Sequence, residues 1–270
     1  MTNQRLTLFL FVALAPALCA QTTLTQEQKE RFLETAEVVG IKDLSVGITN
    51  SRRATLNDGS LTHYAHVQNV YERKASAVTP KGTELNFVDS YKFNIAAYRL
   101  DKLLGLGMIP PSVERVVSGN SSAVTWWVDD VLMMEKERYL KKITPPDQAR
   151  WNDQMFNLRI FNQLVYNTDP NLGNVLIDKS WQVWAIDFTR AFRWHKRLEK
   201  PDALGKIDRG VWDRLRALEP QEVRETMRGV LTKSEIDGVL ARREKLIEHF
   251  DKLIAKRGEA QVLCTLAPRS

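Results

Sequence analysis

Cysteine is nearly missing from these 270 residues: only Cys19 and Cys264 occur. That scarcity argues against a disulfide scaffold and against cysteine-based zinc sites. Histidine is almost as rare, limited to His63, His66, His195 and His249. His63 and His66 stand three apart on an expected strand and point to opposite faces, which disfavours a shared metal. No G-x-S-x-G occurs, so a Ser/His/Asp hydrolase has no support. Repeats, heptads and low-complexity tracts are missing as well. After residue 20 there is no apolar run long enough to span a membrane stably. The formal charge of +6 is modest and scattered. It forms no basic stripe with interleaved aromatics, so nucleic-acid binding is not expected.

What is present begins with MTNQRLTLFLFVALAPALCA, in which Arg5 precedes an apolar run over residues 6–14. This is the layout of a secretory signal peptide, with cleavage expected near Ala20. A lipoprotein site at Cys19 is disfavoured, because Leu18 occupies the place where a small residue is wanted. The expectation is an exported chain, periplasmic, extracellular or in a secretory-pathway lumen. Cys264 would be its lone cysteine, and a chain of about 250 residues can build a self-sufficient core.

Beyond that leader the character alternates. TLTQEQKERFLETAEVVG reads as a helix, with Thr25 and Gln28 as a capping box and Gly40 closing it. LSVGIT and RATL are short strand-like runs around a polar turn, and NDG at residues 57–59 is a hairpin turn into SLTHYAHVQNVY. FVDSYKFNIAAYRLDKLLGLG is predicted as a helix, because Phe93, Ala97, Leu100 and Leu104 recur at helical spacing and glycines end it. PPSVERVV and AVTWWV predict another strand pair around SGNSS. The charged stretch DDVLMMEKERYLKKITPPDQ, with Pro145 and Pro146, reads as a connection. A helix is expected from residue 148 to about 165. The remainder is helical, and SEIDGVLARREKLIEHFDKLIAKRG carries Ser234 and Asp237 as a second capping box. The order implies two lobes meeting at a cleft: 1–20 as leader, 21–128 as N-lobe, 129–148 as connection and 149–270 as C-lobe.

Residues 166–192 read YNTDPNLGNVLIDKSWQVWAIDFTRAF. Asn174 follows Asp169 by five positions, and Asp187 lies thirteen beyond Asn174. The apolar runs NVLID and WQVWAID between them place two carboxylates and an amide at the mouth of a β-hairpin. The order D-x-x-x-x-N, strand, turn, strand, D-F resembles the protein-kinase-like superfamily. The likeness is sharp over residues 161–193 and architectural over 45–128. Asn167-Thr168-Asp169 stands where H-R-D would be, which makes it similar to the atypical aminoglycoside-, choline-, phosphatidylinositol- and secretory-pathway kinase types.

The resemblance implies an α+β, bilobal protein-kinase-like fold. Its small antiparallel-sheet N-lobe would hold one main helix, and its mostly helical C-lobe would carry a metal-binding hairpin. Asp169 would orient an acceptor hydroxyl and take its proton. Asn174 and Asp187 would hold Mg²⁺ or Mn²⁺ against the phosphates of ATP or another nucleoside triphosphate. The acceptor would be a protein or a small-molecule hydroxyl.

The chain departs from the family where a lysine and a glutamate are wanted. Gln68 stands at the lysine position and Asn94 at the glutamate position, two neutral groups able to hydrogen-bond each other where losing one partner would strand a charge. The first hairpin has only Gly47 and no G-x-G-x-x-G. Arg52 and Arg53 in its turn are candidates to reach phosphates, and Trp127 or Val128 to meet an adenine ring. Arg190 and Arg193 would order the loop after the D-F pair or face an anionic acceptor. Two functions follow from the resemblance: an exported, atypical phosphotransferase, or a pseudokinase acting as a nucleotide-binding or protein-interaction module.

Overall fold

The computed structural model describes residues 24–44, 51–79 and 82–267. The expected leader lies outside them, as do Gly47 and nearly all of the strand expected at LSVGIT. Helix α1 (Gln26–Thr35) opens on the predicted capping box, with Gln28 N–H donating to Thr25 Oγ1 and Thr25 N–H to Gln28 Oε1. It stops at Thr35 rather than at Gly40. Val38, Val39 and Ile41 favour extended backbone, and they form β1 (Glu37–Asp43) against β2 (Arg52–Asn57). Gly40 sits where that register slips. Arg52 and Arg53 therefore begin a strand instead of occupying a turn.

The NDG turn forms as expected. Asn57 Oδ1 accepts the Gly59 N–H, and Asp58 Oδ1 accepts those of Ser60 and Leu61. It leads into β3 (Thr62–Gln68), after which comes a hairpin the sequence did not disclose, β4 (Tyr71–Thr79) and β5 (Gly82–Ser90). This hairpin is a sheet of its own and absorbs the FVDS expected to start a helix. The helix α2 (Lys92–Leu104) begins only after it and ends at Gly105, whose φ of +60° favours glycine. Strands β6 (Ser112–Val117) and β7 (Asn120–Trp126) pair around SGNSS as predicted. The N-lobe sheet runs β1-β2-β3-β7-β6, every neighbour antiparallel.

The stretch read as a connection contains β8 (Val131–Met134) and α3 (Glu135–Leu140). Helix α4 (Gln148–Leu164) follows, then the predicted hairpin β9 (Val175–Asp178) and β10 (Val183–Ala185), to which β8 adds a third strand. A short parallel pair, β11 (Ile207–Asp208) and β12 (Leu263–Cys264), brackets α5 (Arg209–Ala217), α6 (Pro220–Thr226), α7 (Lys233–Arg257) and α8 (Glu259–Val262). The capping box of α7 is Thr232 with Glu235, two residues before the Ser234 and Asp237 expected from the sequence.

Two cores result. The smaller packs Phe32 and Leu33 of α1 on Leu56, Val67, Val124 and Trp126 of the sheet. The larger holds Phe161, Phe188, Phe192, Trp212 and Phe250, and α2 contributes Phe93, Ile95, Leu100 and Leu104 to it. Each such side chain stabilises by about 1.5–3 kcal/mol, so α2 is anchored to the C-lobe. Anything α2 grips in the N-lobe is thereby tied across the cleft.

Candidate functional site

Helix α4 delivers the 166–174 loop. Val165 caps the helix, and Tyr166 turns the chain through the left-handed region at φ +47°. The Asn167 side chain is buried and pins the next turn. Its Nδ2 donates to Asn162 Oδ1, and its Oδ1 accepts the Asp169 N–H, both at 3.0 Å. Asn171 accepts the Gly173 N–H and starts a 3₁₀ turn, Leu172–Asn174. The Asn174 carbonyl then accepts the Ile186 N–H at 2.9 Å, which sets Asn174 beside the residue preceding Asp187.

Asp187 and Phe192 also have left-handed backbones, at φ +58° and +56°. Non-glycine residues held there cost on the order of 1–3 kcal/mol each and persist where surrounding bonds over-determine them. Those bonds are present: Phe192 N–H donates to the Val165 carbonyl at 2.6 Å, and the Thr168 N–H and hydroxyl both donate to the Arg190 carbonyl. Asp187 opens into the cleft and so keeps accessible surface, while protein encloses the rest of it. Burial raises its proton affinity, the Asp169 charge adds to that, and the Thr189 hydroxyl at 3.0 Å and Arg190 oppose it. The Asp169 charge is thus felt at the Asp187 carboxylate.

The Gln68–Asn94 contact expected from the sequence exists. Asn94 Nδ2 donates to Gln68 Oε1 at 2.9 Å, and Asn94 Oδ1 accepts the Phe188 N–H at 2.7 Å. Gln68 is 1 % exposed and Asn94 7 %. Strand β3, helix α2 and the D-F segment are therefore joined by a line of uncharged groups.

A cavity of about 530 Å³ lies between the lobes. Its walls include Tyr64, His66, Trp127, Val128, Asn94 and Asp187. Burial pushes the His66 imidazole down to about 4, so it is neutral at pH 7. Arg53 does not line this cavity; its guanidinium lies over the rings of Tyr64 and Trp127, at 4.6 and 5.5 Å. Arg52 and Gln68 are not in its walls either. A second cavity, about 590 Å³, adjoins it behind Ile186 and Phe188 and is lined by Asn174, Asn167, Asn162 and Trp151. Asn174 and Asp187 thus face adjoining spaces, and Asp169 stands outside both walls.

Several contributors had no sequence signal. The β4–β5 hairpin reaches the segment after the D-F pair, where Glu84 takes ion pairs from Arg190 and, at 2.7 Å, from Arg193. Arg190 and Arg193 thus order the loop, the first of their two expected roles. Asp89 ends the same hairpin, 8 % exposed, with its Oδ1 unpartnered. On the other side Arg242 of α7 is fully buried; its Nε donates to the Leu164 carbonyl at 2.7 Å, and its Nη1 to those of Arg193 and His195. It also lies over the Tyr166 ring, fastening α7 to both functional loops.

Among the described residues, no three His, Cys, Asp or Glu side chains are arranged to hold a metal by themselves. Mg²⁺ and Mn²⁺ bound with a nucleotide need less, because phosphate oxygens and water complete their shells. The Asp187 carboxylate and the Asn174 amide are hard oxygen donors of the kind such an ion takes, and the buried Asp89 Oδ1 lacks a hydrogen-bond partner.

No protein-family model and no curated protein matches the sequence. Solved structures do. Hydra Fam20 with sugar superposes at a TM-score of 0.67 and 15 % identity, covering 89 % of this chain and 92 % of its own. The Golgi casein kinase with Mn/ADP bound gives 0.65 at 14 % identity, covering 91 % and 80 %. The Helicobacter pylori proinflammatory kinase CtkA gives 0.54 at 8 % identity, covering 84 % and 98 %. At such identities the likeness is one of architecture, and the architecture is the one the sequence motif implied. The chain has an atypical protein-kinase-like fold.

Proposed function

We propose that this chain is an exported, atypical kinase-like phosphotransferase that takes a nucleoside triphosphate with Mg²⁺ or Mn²⁺. The observation that carries the reading is Asp187 in the wall of the inter-lobe cavity, with the Asn174 carbonyl bonded to the N–H of the residue before it and the Asp169 charge felt at its carboxylate. The walls of that cavity, aromatic at Tyr64 and Trp127, suit a purine ring, and the neutral His66 adds no charge there. Asp187, with Asn174 on the next carbonyl ladder, would hold the ion. A divalent ion supplies charge neutralisation at the phosphates. Asp169 accepts the proton of the acceptor hydroxyl as the hydroxyl oxygen bonds to the γ-phosphorus and the bond from that phosphorus to the β–γ bridging oxygen breaks, the nucleoside diphosphate leaving with the electron pair. The Golgi casein kinase, which carries Mn and ADP in its structure, supports the cofactor assignment by analogy.

A pseudokinase is the second reading, and the neutral Gln68–Asn94 pair favours it. Losing a charged phosphate contact commonly costs about a hundred- to a thousandfold in rate. Retention of Asp169, Asn174 and Asp187 together weighs toward the enzyme. Thermal unfolding of the chain with ATP, in Mg²⁺, Mn²⁺ or chelator, separates nucleotide binding from its absence. At a hundred times the dissociation constant, a ligand adds about 2.7 kcal/mol. Asp187→Ala should abolish the metal-dependent shift, whereas Asp169→Ala should keep the shift and stop transfer to any acceptor. Equal binding by Asp187→Ala and wild type would overturn the site assignment.

A further inference from the structure

Asp89 sits where a carboxylate is hard to accommodate. It is 8 % exposed, its Oδ1 has no hydrogen-bond partner, and Glu72 lies directly across the β4–β5 ladder. Like charges opposite one another destabilise a strand pair, and a buried oxygen without a donor is costly unless something else completes it. The Ser90 N–H donates to the Thr189 carbonyl at 2.9 Å, so the end of β5 is stitched to the segment after the D-F pair. Thr189 donates its hydroxyl to Asp187 Oδ1 at 3.0 Å, and Asp89 competes for the same hydroxyl. One proton cannot serve two carboxylates. The Arg190 charge is felt by both, but its Nη2 is committed to Glu84, its guanidinium lies over the Phe87 ring, and its buried Nε donates to neither carboxylate.

We infer that Asp89 is a metal ligand, its free Oδ1 and the Asp187 carboxylate together coordinating the divalent cation that accompanies the nucleotide. The inference rests on the phosphotransferase reading and extends it to a residue outside the D-x-x-x-x-N and D-F motif. It also accounts for the neutral Gln68–Asn94 pair. Without a lysine in that contact, positive charge at the phosphates must come from a more firmly held ion, and a second carboxylate provides the hold. Two hard carboxylates brought together by β5 and the D-F segment bind such an ion before any nucleotide arrives.

Titrating the purified chain with Mn²⁺ and following the free-ion electron paramagnetic resonance signal, with and without ADP, tests this. Wild type should take up Mn²⁺ without nucleotide. Asp89→Asn and Asp187→Asn should each weaken uptake by at least about tenfold. Mn²⁺ should raise the unfolding temperature of wild type but not of Asp89→Asn, and metal-free Asp89→Asn should unfold no earlier than metal-free wild type. Asp89→Ser, smaller and neutral, is the second substitution should the asparagine variant misfold. Wild-type Mn²⁺ affinity in a folded Asp89 variant, with affinity lost in Asp187→Asn, would overturn the inference and leave the phosphotransferase reading intact. No Mn²⁺ uptake by wild type in either condition would overturn both.

Discussion

At the scale of single residues, Gln68 and Asn94 matter as a pair. Gln68→Lys alone would bury an ammonium against an amide, and Asn94→Glu alone a carboxylate, each predicted to cost about 2–4 kcal/mol. The double variant should recover most of that loss, because the two charges then satisfy each other. Urea unfolding of the four proteins reads the coupling, and simply additive losses would mean the side chains do not interact. This pair was legible in the sequence because the motif fixed where the strand and helix partners belong. The placement of Asp169 and Asn174 in the loop after α4, and of Asp187 just past the β9–β10 hairpin, was legible for the same reason. Asp89 was hidden: FVDS precedes a strongly periodic helix and reads as its first turn, so nothing marked it as the end of a hairpin. Arg242 was hidden differently. A charged residue in a long amphipathic helix reads as solvent-facing, and its carbonyl partners, at Leu164, Arg193 and His195, are distant in sequence.

At the scale of elements, α7 carries two testable features. Its N-terminal box is Thr232 with Glu235, and Thr232→Ala should cost about 1 kcal/mol, while Ser234→Ala should change stability little. Denaturant midpoints distinguish the two, and a larger loss at Ser234 would restore the cap read from the sequence. One turn before Arg242 stands Gly238, where an added Cβ would lie 2.9 Å from Arg242 Nη1 and 3.1 Å from the Arg193 carbonyl. Helix propensity alone favours Gly238→Ala by about 1 kcal/mol. The clash should outweigh it, giving net destabilisation and a slackened 166–174 loop, seen as faster amide exchange there. Greater stability in Gly238→Ala would show that the α7 clamp has slack. The missed β4–β5 hairpin was invisible for a related reason. Its strands are largely exposed, with Val78 at 89 % and Leu85 at 70 %, so no apolar alternation announced them.

At the scale of the whole molecule, His66 sets a pH dependence. Its folded-state value of about 4 lies below the ordinary value of 6.5, so the unfolded chain binds a proton first as the solution is acidified. Stability is complete above pH 6.5 and falls through the window down to about 4. Each tenfold difference in proton affinity between the two states is worth about 1.4 kcal/mol, so the loss reaches about 3 kcal/mol. His66→Phe should flatten that part of the stability curve measured by denaturant unfolding, and an unchanged slope would place the titrating group elsewhere. The two-lobed architecture was readable from element order, since strands, one apolar helix and more strands precede a helical half. The route by which α2 belongs to the larger core was not, because Phe93, Leu100 and Leu104 would look the same against either partner.

Mobile ions weaken contacts between opposite charges and leave contacts between amides almost untouched. The Gln68–Asn94–Phe188 line joins the lobes without a single formal charge, so its strength is indifferent to the ionic composition of the surrounding fluid. The partly exposed Glu84–Arg190 pair beside it is the kind of contact that loosens as brine replaces fresh water. The amide line of this molecule should stay equally stiff in both.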